Sequence, residues 1–351
     1  MEDKVKDKVK ILNLDDFKKH IAKTFGKDSI ISATEKESYG DVIPCTPFSL
    51  RNALGIGGFA KRKIYTIDGD LSSGKSSTAY DVIGQCQKTY GDECLLIDKE
   101  DSFTTPYGKL IGIDNSKLTI VTPNTQEDMY NALIPAIESN LFGVIVIDSV
   151  TAFAPQARFE GSDQMGIEAK VNSNFMRRVA GAIAKSNTCL ILIQQTRETF
   201  GKMGADPTVV SGGKAIPFYA HVRIRITRSK IDRELGQNIM KFTIIKNKLA
   251  DPFKVGTVVY KWGVGFDFFS EIADLAIEFN VIPCEGRTYF PPKTTEGFKL
   301  VGKKKMIDYL SDNIEYTKSV IEPLVLDYLA KNNTRQEENY DKIEEENETE
   351  D

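Results

Sequence analysis

A glycine-rich stretch near residue 70 has the residue types and spacing of a phosphate-binding loop. A glycine is followed by four residues and then by Gly-Lys-Ser, with an apolar segment before it and a helical pattern after it. In that context successive backbone N–H groups point at phosphate oxygens, and the helix adds its positive amino-terminal end. We expect Lys75 to reach the β- and γ-phosphates of a nucleotide and the Ser76 hydroxyl to bind Mg²⁺. The predicted loop consists of Gly69, Asp70, Leu71, Ser72, Ser73, Gly74, Lys75, Ser76 and Ser77.

Polar side chains end three further apolar segments. Asp148 ends one of them, and at the carboxyl end of a parallel strand it would hold Mg²⁺ directly or through water. Asp98 and Glu100 follow a second, and either carboxylate could orient the attacking water as a general base. Glu100 is preferred because its longer side chain can project past the strand end. Gln195 ends a third segment before a long loop, where it could bond the γ-phosphate and transmit its presence into that loop.

Alternating apolar and helical patterns between residues 64 and 230 predict the elements that position these groups. Alternation of this kind implies an α/β fold with a mainly parallel sheet and helices on both faces. A hairpin-like pair follows near 240–247 and 256–261. The strands are predicted at 64–67, 94–97, 118–121, 144–147, 190–193 and 222–226, and the helices at 75–89, 125–139 and 167–185.

A short amphipathic helix is predicted ahead of this core, over residues 13–25. Its apolar residues recur at helical spacing, Asn13 is a plausible N-cap and Gly26 a plausible stop. The helix either packs on its own domain or is donated to a neighbouring copy. Two segments further along, 155–166 and 197–216, fit neither periodicity, and loops of that length are usually functional or disordered.

Composition indicates a soluble globular protein. Hydrophobic residues make up 41% and charged residues 27% of the chain, and no apolar run approaches the ~18 residues of a membrane span. We therefore expect no membrane partner. The five cysteines are scattered and lack metal-ligand spacing, which indicates reduced thiols and a cytoplasmic location.

The charge is unevenly distributed along the chain. Residues 337–351 contain nine acids and one base, a charge of −8, so the overall −4 leaves +4 on residues 1–336. A basic body with an acidic tail is compatible with a polyanionic partner against which the tail competes. A solvated, disordered tail explains the same composition.

The order of these motifs resembles the bacterial and phage RecA recombinase family across nearly the whole chain. The resemblance extends well beyond the phosphate loop, and the segments together are far more specific than that loop alone. The further segments that carry it include Phe25-Gly-Lys-Asp-Ser-Ile-Ile, Ile97-Asp-Lys-Glu, Val146-Ile-Asp-Ser-Val, Met176-Arg-Arg-Val-Ala-Gly, Ser211-Gly-Gly-Lys-Ala, Lys246-Asn-Lys-Leu-Ala-Asp-Pro-Phe-Lys and Gly263-Val-Gly-Phe-Asp-Phe.

The resemblance implies an ATP-dependent filament on single-stranded DNA that pairs it with homologous duplex DNA and exchanges strands. ATP and Mg²⁺ are the implied cofactors. Glu100 resembles the catalytic glutamate, and Gln195 resembles the sensor of the γ-phosphate. Tyr107 resembles the residue that stacks on adenine. Lys246 and Lys248 resemble a pair that reaches the phosphates held by a neighbouring subunit, where a cation supplied in trans would stabilise the transition state.

The two aperiodic segments resemble the DNA-contacting loops of that family. Met165 and Phe200 fall where the family inserts apolar side chains between bases, and stacking contributes about 1–3 kcal/mol per aromatic contact. Arg228 and Lys241 are candidates for a second DNA site. The residues expected at the first site also include Lys170, Ser173, Arg177, Arg197, Ser211, Gly212, Gly213 and Lys214.

Four regions follow from the patterns and the resemblance together: an oligomerisation arm over 1–33, a RecA-like ATPase core over 34–280, a small C-terminal domain over 281–333 and an acidic tail over 334–351. Two other functions are compatible with the same phosphate loop. One is a hexameric helicase-type motor, which would unwind a forked duplex. The other is an ATP-switched DNA-binding scaffold without strand exchange, which would turn over ATP independently of DNA.

Overall fold

The computed structural model describes residues 13–26, 39–159, 166–198, 208–210, 213–292, 297–329 and 331. Two units divide the chain, one up to Tyr39 and one from Gly40 onward. Within the described ranges, no helix has both the length and the apolar character needed to cross a bilayer.

The first unit contains helix α1 (Leu14–Phe25). Asn13 caps it as predicted, because its Oδ1 accepts a hydrogen bond from the Asp16 backbone N–H at 2.9 Å. The helix ends at Gly26, whose φ of +95° suits a residue without a side chain. Leu14 and Phe17 are 64% and 45% exposed. The apolar stripe of α1 therefore has two large side chains open to contact.

The second unit begins with an antiparallel pair, β1 (Val42–Ile43) and β2 (Phe59–Ala60), joined through helix α2 (Phe48–Leu54). A ten-stranded sheet follows, and two antiparallel strands of that sheet, β10 and β11, form the predicted hairpin. The strands of the sheet are β3 (Ile64–Gly69), β4 (Glu93–Asp98), β5 (Leu118–Val121), β6 (Phe142–Asp148), β7 (Cys189–Glu198), β8 (Thr208–Val210), β9 (Val222–Asp232), β10 (Gln237–Asn247), β11 (Val255–Lys261) and β12 (Gly265–Phe266).

The strand order is β12-β11-β10-β9-β3-β7-β6-β4-β5, with β8 paired to β7. Strands β9, β3, β7, β6, β4 and β5 run parallel, which confirms the predicted mainly parallel sheet. In such a sheet the carboxyl ends of the strands meet at one edge, where ligands bind. The phosphate loop, Glu100 and Asp148 follow or end strands at that edge, whereas Gln195 lies within β7, in register with Gly69 at the end of β3.

The helices that cover the sheet agree closely with the prediction. Three long ones, α3 (Lys75–Tyr90), α5 (Gln126–Glu138) and α7 (Ile167–Ile183), match the predicted 75–89, 125–139 and 167–185 within two residues. Two apolar clusters bury the two faces of the sheet, one against α3 and one against α5 and α7. The helices of this part are α3 (Lys75–Tyr90), α4 (Thr105–Leu110), α5 (Gln126–Glu138), α6 (Gln156–Phe159), α7 (Ile167–Ile183) and α8 (Ala215–Tyr219).

The expectation that 155–166 and 197–216 lack regular structure was wrong for parts of both segments. Helix α6 occupies the start of the first. In the second, β7 continues to Glu198 and pairs antiparallel with β8, and α8 begins at Ala215. Pairing with β8 satisfies the backbone groups of β7 beyond the sheet core, and a glycine-rich sequence pattern gives no sign of such a hairpin.

The last part of the chain is a small α+β region. Its third apolar cluster combines Phe48 of α2 with residues from α9 onward, so the region packs on the core through α9. A π-helical turn, Thr317–Ile321, leads into an α-helix over 322–329. The elements are α9 (Phe268–Glu278), β13 (Cys284–Glu285), β14 (Thr288–Tyr289), β15 (Leu300–Val301), α10 (Lys303–Asp312) and α11 (Ile314–Tyr316).

Candidate active site

The loop between β3 and α3 depends on two glycines that admit no side chain. A Cβ on Gly69 would collide with the carbonyl oxygen of Ile226 in β9. A Cβ on Gly74 would collide with the Met240 side chain, and Gly74 has a φ of +97°. Close packing on β9 and β10 thus shapes a loop whose N–H groups precede the first turn of α3.

Lys75 begins α3 and is directed back into the loop. Its Nζ donates to the carbonyl oxygens of Gly69 at 3.0 Å and Asp70 at 2.6 Å. Burial lowers the pKa of the Lys75 ammonium, while the charges of Asp148, Glu100 and Asp70 act to raise it. These contacts hold the ammonium inside the loop, where it can meet an anion bound by the loop N–H groups.

Asp148 ends β6 beside this first turn. Its Oδ2 accepts a hydrogen bond from the Tyr80 hydroxyl at 2.9 Å. Burial raises the pKa of Asp148 above its usual value, and hydrogen bonds from Ser76 and Tyr80 reduce the size of that rise. Mg²⁺ prefers one or two protein oxygens and keeps water and phosphate as its other ligands. The Ser76 hydroxyl and the Asp148 carboxylate form an oxygen set that fits it.

Glu100 and Gln195 meet at the carboxyl edge of the sheet. Glu100 Oε1 accepts hydrogen bonds from Ser149 Oγ at 2.7 Å and from Gln195 Nε2 at 3.0 Å. Gln195 lies on β7, the strand that goes on to form the hairpin with β8. The next residue, Thr196, donates to Asp70 of the phosphate loop at 2.9 Å. These contacts join the phosphate loop to the end of β7.

Asp98, the alternative base, has a different environment. Its carboxylate is buried and accepts backbone N–H bonds from Glu100 at 3.0 Å, Ser102 at 3.0 Å and Phe103 at 3.1 Å. These three bonds stabilise the turn after β4. Glu100 is exposed beside the loop and has the geometry of the two that suits a reacting water.

A cavity of about 490 Å³ extends from the phosphate loop toward the ends of β10 and β11. Tyr107 lines it, and its hydroxyl pairs with Ser77 Oγ at 2.6 Å and the Tyr260 hydroxyl at 3.1 Å. Sequence reasoning missed Tyr260, Asn238 and Trp262, which also line the cavity. The signal available was a lone tryptophan in the Lys-Trp-Gly-Val-Gly turn after the last predicted strand.

Arg228 also lines this cavity, although its sequence position suggested a second DNA site. Its guanidinium donates to the Leu71 carbonyl at 3.3 Å, and its charge contributes to lowering the pKa of Lys75. The structure therefore places Arg228 beside the phosphate loop. Lys241 lies on β10 with its side chain exposed.

A buried ion pair, which the sequence patterns did not predict, lies near the edge of the sheet where β3 enters the phosphate loop. Arg223 of β9 donates to Asp68 of β3 at 2.6 Å, and Asp68 is completely buried. Asp68 pairs in register with Gln194 of β7, which is also fully buried. Breaking such a pair by removing one partner leaves an uncompensated charge in the interior.

Lys246 and Lys248 lie toward the end of the sheet opposite the phosphate loop of their own chain. In register, Lys246 is opposite Arg223, which is opposite Thr66 near the start of β3, whereas the loop follows the end of β3. Lys246 Nζ donates to the carbonyl oxygens of Pro217 at 3.0 Å and Phe218 at 2.9 Å. Burial and the neighbouring Lys248 charge lower the pKa of Lys246.

One face of α7 gathers part of the predicted DNA-binding set. Lys170, Ser173 and Arg177 are exposed at a spacing that places them on one side of the helix. Gly213 packs on the first turn of the same helix, because a Cβ added there would lie 2.6 Å from Ala169 Cβ. Lys214 is exposed and precedes α8. The end of the second loop thus lies against the basic face of α7.

The remaining predicted DNA contacts lie mostly outside the described residues. This holds for Met165, Phe200, Ser211 and Gly212. Arg197 is described only through its backbone, which belongs to β7 and pairs with Val209.

Comparison with known proteins agrees with this architecture. The model of the family described as the RecA N-terminal domain matches residues 12–267. The curated "Protein RecA" of Francisella tularensis subsp. novicida (strain U112) is 34% identical over 321 residues, covering 89% of this chain and 88% of that protein. "Protein RecA" of Francisella tularensis subsp. holarctica (strain OSU18) matches with the same identity and coverage. With that family model and these relatives spanning a sheet that converges on the phosphate loop, the chain belongs to the RecA family.

Proposed function

We propose that this protein is a DNA-dependent ATPase that forms helical filaments on single-stranded DNA and catalyses homologous pairing and strand exchange in recombinational DNA repair. The observation that carries the proposal is the hydrogen bond between Gln195 and Glu100. It joins the group suited to activate water with the strand that leads into the DNA-contacting segment. A signal from the γ-phosphate can pass along that connection.

In this proposal each residue of the site has one task. Lys75 and the loop N–H groups bind the β- and γ-phosphates, and Glu100 accepts a proton from the attacking water. Ser76 and Asp148 would hold Mg²⁺, which would supply neutralisation of the phosphate charge when bound. Gln195 exchanges its bond to Glu100 for one to the γ-phosphate, which alters the end of β7.

Assembly completes the site. Lys246 and Lys248 lie toward the end of the sheet opposite the loop of their own chain, near the amino-terminal ends of the parallel strands β3 and β9. In a head-to-tail filament they would face the phosphates bound by the next subunit and act as cations in trans. This couples hydrolysis to polymerisation.

The free thiols of all five cysteines support a cytoplasmic location.

DNA would bind along the exposed face of α7 and the glycine-rich segment that ends at Gly213. Lys170, Arg177 and Lys214 supply positive charge for phosphates, and Ser173 supplies a hydroxyl. Met165 and Phe200 would insert between bases.

The deciding experiment is the rate of ATP hydrolysis with and without single-stranded DNA, alongside electron microscopy for filaments. We expect DNA to stimulate turnover and ATP to promote helical filaments. Turnover that ignores DNA would favour the ATP-switched scaffold, and closed rings that unwind a forked duplex would favour the helicase-type motor.

A further inference from the structure

A second cavity, of about 410 Å³, lies between β11, the first turn of α2 and α9. Residues 255–259 of β11 line one side of it, and a row of side chains from α9 lines another. Phe48, Leu275 and Phe279 supply apolar surface. None of its lining residues also lines the nucleotide cavity. We call this second cavity the edge groove.

One edge of β11 is open toward the edge groove. The strand on that side, β12, is two residues long and pairs with the last two residues of β11, and no described strand pairs with this edge over 255–259. The Val259 carbonyl accepts a bond from the Asp267 N–H at 2.9 Å, so it points away from β10. Backbone groups alternate in direction along an antiparallel strand, so those of Thr257 and Val255 also point away from β10. An edge of this kind accepts an extended segment as a further strand.

The α9 side of the edge groove is acidic. Four carboxylates recur there at a spacing that places them on one helix face, and no lysine, arginine or histidine lines the groove: Asp267, Glu271, Asp274 and Glu278. Asp267 and Glu271 are engaged inside the fold, with a lysine of β11 and with two N–H groups of α2. Asp274 is 57% exposed in its pair with Lys303, and Glu278 is exposed without an ion-pair partner among the described residues. Asp274 and Glu278 are thus accessible to cations.

The sequence ahead of α1 has a pattern that complements this groove. Residues 4–11 read Lys-Val-Lys-Asp-Lys-Val-Lys-Ile, with a lysine at every second position. Successive side chains of an extended strand point to opposite faces, so the four lysines would share one face and Val5, Val9 and Ile11 the other. Four lysines and one aspartate give the segment a charge of +3. The acidic tail over 337–351 would instead be repelled by the carboxylates of α9.

We propose that the edge groove binds residues 4–11 of a second copy of this chain as an added strand. The main chain of the segment pairs with the outward backbone groups of Thr257 and Val255, and its lysines face Asp274 and Glu278. This contact goes beyond the proposed function, because it involves neither nucleotide nor DNA.

A fluorescein-labelled peptide of residues 1–12, titrated with the full-length protein, measures this contact by fluorescence anisotropy. We expect saturable binding that weakens as salt rises, since exposed charges contribute to it. Hydrogen–deuterium exchange should slow over 255–259, because the outward N–H groups of Thr257 and Val255 gain partners. A peptide of the same composition with its four lysines consecutive should bind more weakly and leave that exchange unchanged.

Two variants separate the charge contribution from the main-chain contribution. Glu278→Lys should weaken peptide binding about 2- to 20-fold, the range for an exposed attraction turned into a repulsion. Glu138→Lys is the matched control, since Glu138 is exposed, ends α5 as Glu278 ends α9, and does not line the groove. Thr257→Pro removes an outward N–H and keeps the pairing of β11 with β10, so it should also weaken binding. A peptide with glutamates in place of the lysines should prefer Glu278→Lys to the wild type.

Three results would overturn the inference. The first is the absence of saturable peptide binding. The second is equal weakening by Glu278→Lys and Glu138→Lys, which would assign the binding to non-specific attraction. The third is binding without slower exchange over 255–259, which would exclude strand pairing. The proposed function would survive each of these results, because DNA-stimulated ATP hydrolysis is measured separately.

Discussion

Asp98 and Glu100 are two residues apart in the chain, but their carboxylates have different surroundings. The Asp98 carboxylate accepts hydrogen bonds from three backbone N–H groups of the turn. The Glu100 carboxylate accepts hydrogen bonds from two side chains, those of Ser149 and Gln195. The neighbouring groups, more than the residue type, decide which carboxylate is available to a substrate.

Glu100→Gln should retain ATP binding and slow hydrolysis by about 10²-fold or more, because an amide cannot accept the proton from water. DNA-stimulated ATP turnover and nucleotide affinity measure the two effects. The control is Asp98→Asn, which should lower the free energy of unfolding by about 1–3 kcal/mol through lost acceptors for backbone N–H groups. Hydrolysis by Glu100→Gln at the wild-type rate would assign the base to another group.

His221 makes stability depend on pH. Burial and the charges of Lys63, Lys248 and Lys246 lower its pKa from 6.5 to about 4, and its Nδ1 accepts a bond from the Ile64 N–H at 3.1 Å. As pH falls below 6.5 the unfolded chain takes up this proton first. The stabilisation is therefore complete above pH 6.5 and is lost progressively toward pH 4.

The wild-type protein should consequently lose about 1–2 kcal/mol more stability between pH 7 and pH 5 than His221→Asn, which keeps an acceptor without titrating. Urea unfolding at the two pH values gives the comparison. Parallel losses in both proteins would show that His221 does not contribute.

At the scale of single elements, α1 invites a direct test. Leu14 and Phe17 are exposed on a capped amphipathic helix, a pattern typical of a segment that packs on another chain. Deletion of residues 1–27 should leave a monomer that still binds nucleotide, as judged by sedimentation and ADP titration. Within the full chain, Leu14→Ala with Phe17→Ala should weaken assembly, whereas the exposed Lys18→Ala should not. Filaments that persist after the deletion would make α1 an intramolecular element.

The long buried elements were predictable because their patterns are strong and local. Strands β3, β4, β6 and β9 each contain the apolar run assigned to them, and β5 matches to the residue. The hairpin of β7 with β8 was not predictable, since its pairing is between segments of weak pattern.

The site divides in the same way. Sequence motifs next to apolar segments were enough to propose Lys75, Glu100, Asp148 and Gln195 as site residues. The ion pair of Asp68 with Arg223, and the indole of Trp262, depend on which strands are neighbours. A one-dimensional pattern does not carry that information.

For the whole molecule, the acidic tail and the basic body predict competition for DNA. Truncation after Asn333 should raise affinity for duplex DNA at low salt, because the tail no longer occupies the basic surface. The gain should fade as the Debye length shrinks to about 8 Å at physiological ionic strength. Titration of both proteins with labelled duplex at two salt concentrations measures it. ATP turnover saturated with single-stranded DNA is the control and should barely change, and identical low-salt curves would leave the tail a solubilising appendage.

The antiparallel course of β10 determines how many complete sites a filament of the proposed kind contains. It carries Lys246 to the end of the sheet opposite the phosphate loop, so on the proposed assembly each complete site is shared by two adjacent copies. A run of n copies then contains n − 1 complete sites, and an isolated copy contains none. Turnover per copy should rise with run length and level off. In mixtures, a site is complete where a Lys246→Ala copy supplies the phosphate loop and Glu100 and a Glu100→Gln copy supplies the lysines. Mixing the two inactive variants should therefore restore part of the turnover, and a mixture as inactive as either variant alone would contradict the shared site.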